Sequence, residues 1–253
     1  MSTPAPPVRR ILAQARFEAA GLLKHGEQLI VSLMLPLMAL VGLALVPFPD
    51  LAVGRFAGEE RIDVLAPGVL ALAVMSTAFT SLAIATGFER RYGVLKRLGS
   101  SPLPRHGLLL GKVLALLAVE TVQVVVVLGV AIGLGWRPGL DTVDVLGAVL
   151  AVALGTAAFA SLGLFVAGVL RAEATLAAAN LVYLLLLAGG GIVIPVEEYG
   201  AASGVLGWLP SGALGEAMRA ALGSATIAWP SLLVLLGWAV LGAVLTARTF
   251  RWE

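Results

Sequence analysis

The sequence predicts an all-α, polytopic membrane protein: six transmembrane helices preceded by an amphipathic interfacial helix. Three observations predict it. Hydrophobic residues make up 59% of the 253 and charged residues only 13%, where a soluble domain averages about 25% charged. Mean hydropathy is +0.99, so the chain could not cover itself with polar surface in water. Apolar runs long enough to cross a bilayer recur six times, joined by short polar connections. Residues 1–253 read as one membrane domain. Its parts are an amphipathic cytoplasmic N-terminus (1–28), a six-span bundle (29–247) and a cytoplasmic tail (248–253).

The first element is a surface helix over 8–25. At about 100° per residue, Val8, Ile11, Leu12, Ala15, Ala19 and Leu22 share one face, with Arg9, Arg10, Gln14, Arg16, Lys24 and His25 elsewhere. Phe17 lands on the polar side. A basic amphipathic helix of this kind lies in the interface of an anionic leaflet. No apolar h-region occurs in the first 28 residues, so no secretory signal is expected.

The first span is expected over 29–46, interrupted by Pro36 and ended by Pro47 and Pro49. The second covers 64–87, with Pro67 in its first turn, where a missing N–H costs little. The third covers 108–134, the fourth 143–170 and the fifth 175–194, the last ending in Gly189-Gly190-Gly191 and Pro195. A longer segment follows, with a short helix at Ser211–Leu222 capped by Gly223. The sixth span covers 230–247. Gly129 and Gly133, four apart on the third span, allow close helix approach.

Six spans place both termini on one side. That side carries 13 Lys and Arg and the other carries four, while nine of the 15 acids fall on the less basic side. The positive-inside rule therefore puts both termini, and the loop near residues 88–112, in the cytoplasm of a multi-pass cell-membrane protein. No internal repeat is visible, which weakens the inverted-repeat plan of many secondary transporters.

Reactive constellations are missing. With no cysteine there is no thiolate chemistry or disulfide. His25 and His106 lie far apart without an acidic ligand pattern, so no metal site is expected. Gly107-Leu-Leu-Leu-Gly111-Lys112-Val113 fails as a nucleotide-binding P-loop: the glycine spacing is one short, valine replaces Ser or Thr, and no strand precedes it. No Gly-x-Ser-x-Gly elbow is present. The chain is expected to be non-catalytic, to hold no cofactor and to bind no nucleic acid.

Four polar residues inside spans are candidates for a substrate path: Glu120 and Gln123 on the third, Asn180 and Tyr183 on the fifth. A charge near mid-membrane costs roughly 2.5–3.5 kcal/mol on insertion scales, so Glu120 should face protein or a water-filled cavity. Interhelical glue is the alternative, and the one favoured for Asn180.

The loop itself carries a pattern: Glu89, Gly93, Leu95, Leu98, Ser101-Pro102, Arg105 and Gly111-Lys112. It resembles the cytoplasmic loop of type-2 ATP-binding cassette exporter permeases, including the daunorubicin-type drug permeases. The basic N-terminal helix, the six spans and the long external segment are similar too. Gly191-Ile-Val-Ile-Pro195, Trp208-Leu-Pro210, Glu216 and Arg219 look like that family's last external region. Val94 departs from the small polar residue many members carry there.

The resemblance implies a permease subunit. It would move an amphipathic, drug-like or lipid-like substrate out of the cytoplasm, paired with a second permease chain. ATP and Mg would sit on a separate ATPase, gripped by a coupling helix in this loop. Glu89, Gly93, Val94, Leu95, Leu98, Ser101, Pro102 and Arg105 would form the interface. The residues suit a peg: Val94, Leu95 and Leu98 make an apolar stripe beside Lys96 and Arg97, and Pro102 stops the helix. The external segment 195–229 would partly re-enter the membrane, with Trp208 and Trp229 at the outer interface. The alternatives are a secondary transporter working without an ATPase and a non-transporting assembly factor.

Overall fold

The computed structural model describes residues 6–24, 26–45, 60–98 and 105–250. Every regular element among them is helical: α1 (Pro7–Lys24), α2 (Gly26–Leu45), α3 (Arg61–Arg91), α4 (Val94–Leu98), α5 (Arg105–Gly133), α6 (Thr142–Val169), α7 (Ala172–Gly189), α8 (Pro210–Ser224) and α9 (Trp229–Thr249), with a 3-10 turn at Val196–Ala202 and one helical turn at Ser203–Leu206. Five helices, α3, α5, α6, α7 and α9, are long and apolar enough to cross a membrane. The apolar part of α2, Ser32–Leu45, is shorter.

The axis of the bundle is α3. Of its apolar window 78% is buried, against 22% for α7 and for α9, so α3 meets protein on nearly all sides while the outer helices leave most of their apolar surface uncovered by this chain. Its composition permits this. Small residues let neighbours approach closely, and in a membrane such packing drives association. A Cβ at Gly68 would lie 2.7 Å from the Val193 carbonyl oxygen, and a Cβ at Gly163 of α6 would lie 2.9 Å from that of Phe79. Both contacts are closed to any larger residue.

Two features interrupt α3. Pro67 lies in its second turn rather than its first, because the helix begins at Arg61. Ser76–Ser81 forms a π-helical turn, a local widening that admits one extra residue. The polar Ser76 and Thr77 of that turn are buried.

Around this axis α6 packs against α9, α3 and α8, and α5 packs against α1 and α3. The Thr246 hydroxyl of α9 donates to the Ser161 carbonyl of α6 at 2.9 Å. Gly129 and Gly133 have no neighbour among the described residues within reach of an added Cβ, so their spacing mediates no helix contact among those residues.

Three other expectations change. α1 does not lay its whole apolar face outward: Ala15 is buried, and Gln14 and Ala15 abut Gly111 of α5, while Val8, Leu12 and Phe17 stay exposed. The protein-facing side is therefore rotated toward Gln14 and Glu18, leaving Val8 and Leu12 exposed. The fifth span stops at Gly189, not at residue 194, because the carbonyls beyond it are engaged elsewhere. Gly223 lies inside α8, and Ala225 takes the left-handed position (φ 49°) that ends it. The Thr226 amide closes this end on the Ala220 carbonyl at 3.1 Å.

Candidate functional site

At one end of the bundle the chain leaves α3 through Tyr92 and Gly93. Gly93 has φ +67°, a left-handed conformation that an L side chain rarely adopts. It turns the chain into the five-residue α4. Of the apolar stripe, the described side chains are Val94 and Leu95. Leu95 is fully buried within this chain, Val94 is half-buried, and Lys96 and Arg97 are exposed. Leu95 thus anchors α4 to its own bundle, and the exposed side chains among those described on α4 are Lys96 and Arg97. Ser101 and Pro102 lie outside the described residues, as do the side chains of Leu98 and Arg105.

Three consecutive residues at the end of α3 fasten this region. Glu89 pairs with the Lys112 ammonium of α5 at 2.7 Å, and the same ammonium pairs with Glu18 of α1 at 2.9 Å. Lys112 is only 4% exposed. A lysine so deeply buried stays charged only with partners, and two carboxylates from two other helices supply them. Arg90 donates to the carbonyls of Gly168, at 2.6 Å, and Leu170. These are among the open carbonyls at the C-terminus of α6, where a cation also meets the negative end of the helix dipole. Arg91 pairs with Glu173 at the start of α7. Glu89-Arg90-Arg91 therefore ties α3 to α1, α5, the end of α6 and the start of α7. Lys112, which closes the loop pattern with Gly111, is a buried junction. Glu18 was not singled out at all, although its place one turn after Gln14, beside Ala15, was a signal.

Deeper in the bundle, the inner face of α5 carries polar side chains. The Thr156 hydroxyl of α6 donates to Glu120 Oε2 at 2.6 Å. Gln123, one turn on, accepts from Thr77 in the π turn at 2.6 Å and donates to Ser32 of α2 at 3.0 Å. Tyr183 of α7 is buried in the core cluster. Asn180 is exposed and bonds its own helix at the Leu176 carbonyl, so it joins neither Glu120 nor Gln123. Thr77, Thr156 and Ser32, the partners, are hydroxyl residues unremarkable in an apolar sequence.

At the opposite end, Arg219 of α8 is buried and pairs with Glu216 at 2.7 Å. Its guanidinium also donates to the carbonyls of Gly191 (3.0 Å), Ile192 (3.1 Å) and Val193 (3.3 Å). The Ser211 hydroxyl takes the Gly190 carbonyl at 2.8 Å. Irregular backbone is tolerated at depth only where protein satisfies it, and here one arginine does most of that. Ile192 and Val193 consequently pack, fully buried, against Gly68 of α3.

A family model described as ABC-2 type transporter matches residues 9–222. The chain belongs to the ABC-2 type transporter family. The match runs from α1 through most of α8 and so includes the Glu89-Arg90-Arg91 clamp and the Arg219 cap. A search of curated proteins returned no match. As an ABC-2 member with an all-helical fold and several apolar spanning helices, the chain is a multi-pass membrane permease component of an ABC transporter. Membership carries with it a membrane setting and an ATPase partner.

Proposed function

We propose that this permease exports an amphipathic, drug-like or lipid-like compound across the cell membrane, using ATP hydrolysed on a separate ATPase. Two permease chains, identical or related, would complete the transporter, with both termini cytoplasmic. In this reading α4 is the docking peg, gripped through Lys96 and Arg97 rather than through Leu95.

The observation that carries the proposal is the clamp behind α4. A push on α4 reaches α3 through one glycine turn. From there Glu89, Arg90 and Arg91 pass it to α1, α5, and the α6–α7 turn at once. A topology signal alone needs basic residues but no such buried junction. Glu120 and Gln123 join spans through hydroxyl partners, and within this proposal they brace the wall along which cargo moves.

The test is reconstitution with the cognate ATPase. The pair Lys96→Glu and Arg97→Glu should abolish co-purification while the permease still inserts and elutes as a defined species. Normal co-purification would overturn α4 as the docking element. Transport in liposomes without any ATPase would instead establish a secondary transporter. A stable ATPase complex that no candidate compound stimulates would favour an assembly factor.

A further inference from the structure

Within its own chain Asn180 of α7 is self-contained, its Nδ2 donating to the Leu176 carbonyl at 2.9 Å. The remaining N–H and the amide oxygen meet no partner among the described residues. Asn180 lies at the middle of the 18-residue α7, about 13 Å from either end, and it is exposed. A half-used amide therefore sits near mid-membrane on the outer surface of the bundle. Hydrocarbon offers it nothing, and an unsatisfied polar group there is costly. The other outward faces avoid this cost. From Leu233 to Val244 every exposed residue of α9 is Leu, Val, Ala or Gly, and the exposed Thr121 of α5 donates its hydroxyl to the Leu117 carbonyl of its own helix. α7 is also the least hydropathic of the five spanning helices, while it shares the lowest burial with α9. A surface made for lipid would be among the most apolar of the set, so the composition of α7 argues for protein cover.

What covers it follows from the pattern around the amide. Ala177, Asn180, Leu184 and the half-buried Leu187 recur at spacings of three, four and three, the period of a seam between two helices crossing at a shallow angle. Leu176, Leu181 and Leu185 flank the seam and are exposed. A single asparagine in such a seam fixes register and oligomeric state. Two copies of one chain take the same orientation in a membrane, so a twofold axis along the membrane normal sets equal depths opposite each other. An amide is complementary to itself, since each can donate Nδ2–H to the other's Oδ1. Between Leu176 and Leu187 the helix holds no charge to repel its copy. We infer that α7 is where a second copy of this chain docks, α7 against α7, with the two Asn180 amides hydrogen-bonded across the twofold axis. This rests on the proposed pairing of two permeases, and it selects the identical partner over a related one.

The chain holds no cysteine, so single cysteines report contacts without background. Ala177→Cys and Leu184→Cys, each in the full chain co-expressed with the cognate ATPase and oxidised in the membrane with copper phenanthroline, should give a covalent dimer on non-reducing gels. Mass spectrometry of that band should find this chain alone. Val240→Cys, on the exposed face of α9, should stay monomeric under the same conditions. Asn180→Leu should raise the dimer dissociation constant roughly three- to tenfold, read by energy transfer between two labelled copies diluted in liposomes. Asn180→Gln keeps an amide and should recover most of the affinity. No α7 crosslink, or equal crosslinking through Val240→Cys, would overturn the docking surface. Wild-type affinity in Asn180→Leu would overturn the amide pair, and a band holding a different permease would overturn the identical partner. Crosslinked dimers that never export leave this surface standing and end the export reading. Export without any α7 crosslink does the reverse.

Discussion

The two ends of the bundle use charge in opposite ways. At the α4 end, Lys112 is enclosed by Glu18 and Glu89, and Arg90 and Arg91 spend their donors on the α6–α7 turn. At the far end, Arg219 closes the 191–193 backbone, but four carboxylates stand around open volume with one arginine among them. The comparison teaches that a charged residue at a membrane protein's rim has two uses. Matched partner for partner, it fastens helices together. Left in excess around a space, it gives that end an acidic pocket.

The largest effect should come from undoing the fastened end. Lys112→Met leaves Glu18 and Glu89 facing each other in a buried site. Breaking a buried pair by removing one partner costs about 3–5 kcal/mol, so Tm in detergent should fall sharply. Retention of the wild-type Tm would mean that the junction is solvated and carries no load. Arg219→Met should cost about 3 kcal/mol by the same argument. Its marker is local: the 190–195 backbone should lose hydrogen-exchange protection while α4 keeps its own. Equal loss at both ends would erase the distinction between them.

Smaller effects sharpen the comparison. Thr156→Val removes the donor to Glu120 Oε2, and interhelical hydrogen bonds of this kind average about 0.6 kcal/mol. A small Tm change with wild-type transport would make Glu120 a brace. Loss of transport at unchanged Tm would put it on the path. Lys96→Glu with Arg97→Glu should leave Tm where it is, since both side chains are exposed, and should act on ATPase capture alone.

Much of this was legible in the sequence, for reasons particular residues make plain. Spans follow from runs of Ala, Leu, Val and Gly, and the bounds of α6 and α9 differ from expectation by a residue or two. The motif residues Glu89 and Gly93 proved to be the fastener and the turn, and Arg219 and Gly191 proved to be bonded to each other. What the sequence hid was direction. Periodicity on α1 identified an apolar face but not which edge of it meets protein, because lipid and protein core reward the same side chains. Leu95 looked like a contact for a partner because a five-residue helix has too few positions to reveal which side is already occupied. Asn180 and Gln123 look alike in sequence, and only the position of neighbouring hydroxyls makes one a link between helices and the other a self-contained surface group. The cavity was invisible for a similar reason: its acids lie on elements far apart in the chain.

The π turn at Ser76–Ser81 has a consequence for phase. One residue advances an α-helix by about 100°, and a π turn absorbs one residue without lengthening the α-helical count. Gly68, on one side of that turn, must face the 192–193 backbone, and Glu89, on the other, must face Lys112. The extra residue acts as a vernier that sets these two azimuths relative to each other. Deleting one residue within the turn would regularise α3 and keep both azimuths, whereas deleting one elsewhere between Gly68 and Glu89 would swing either the clamp or the cap about a quarter-turn out of mesh, so a single helix could no longer serve both ends.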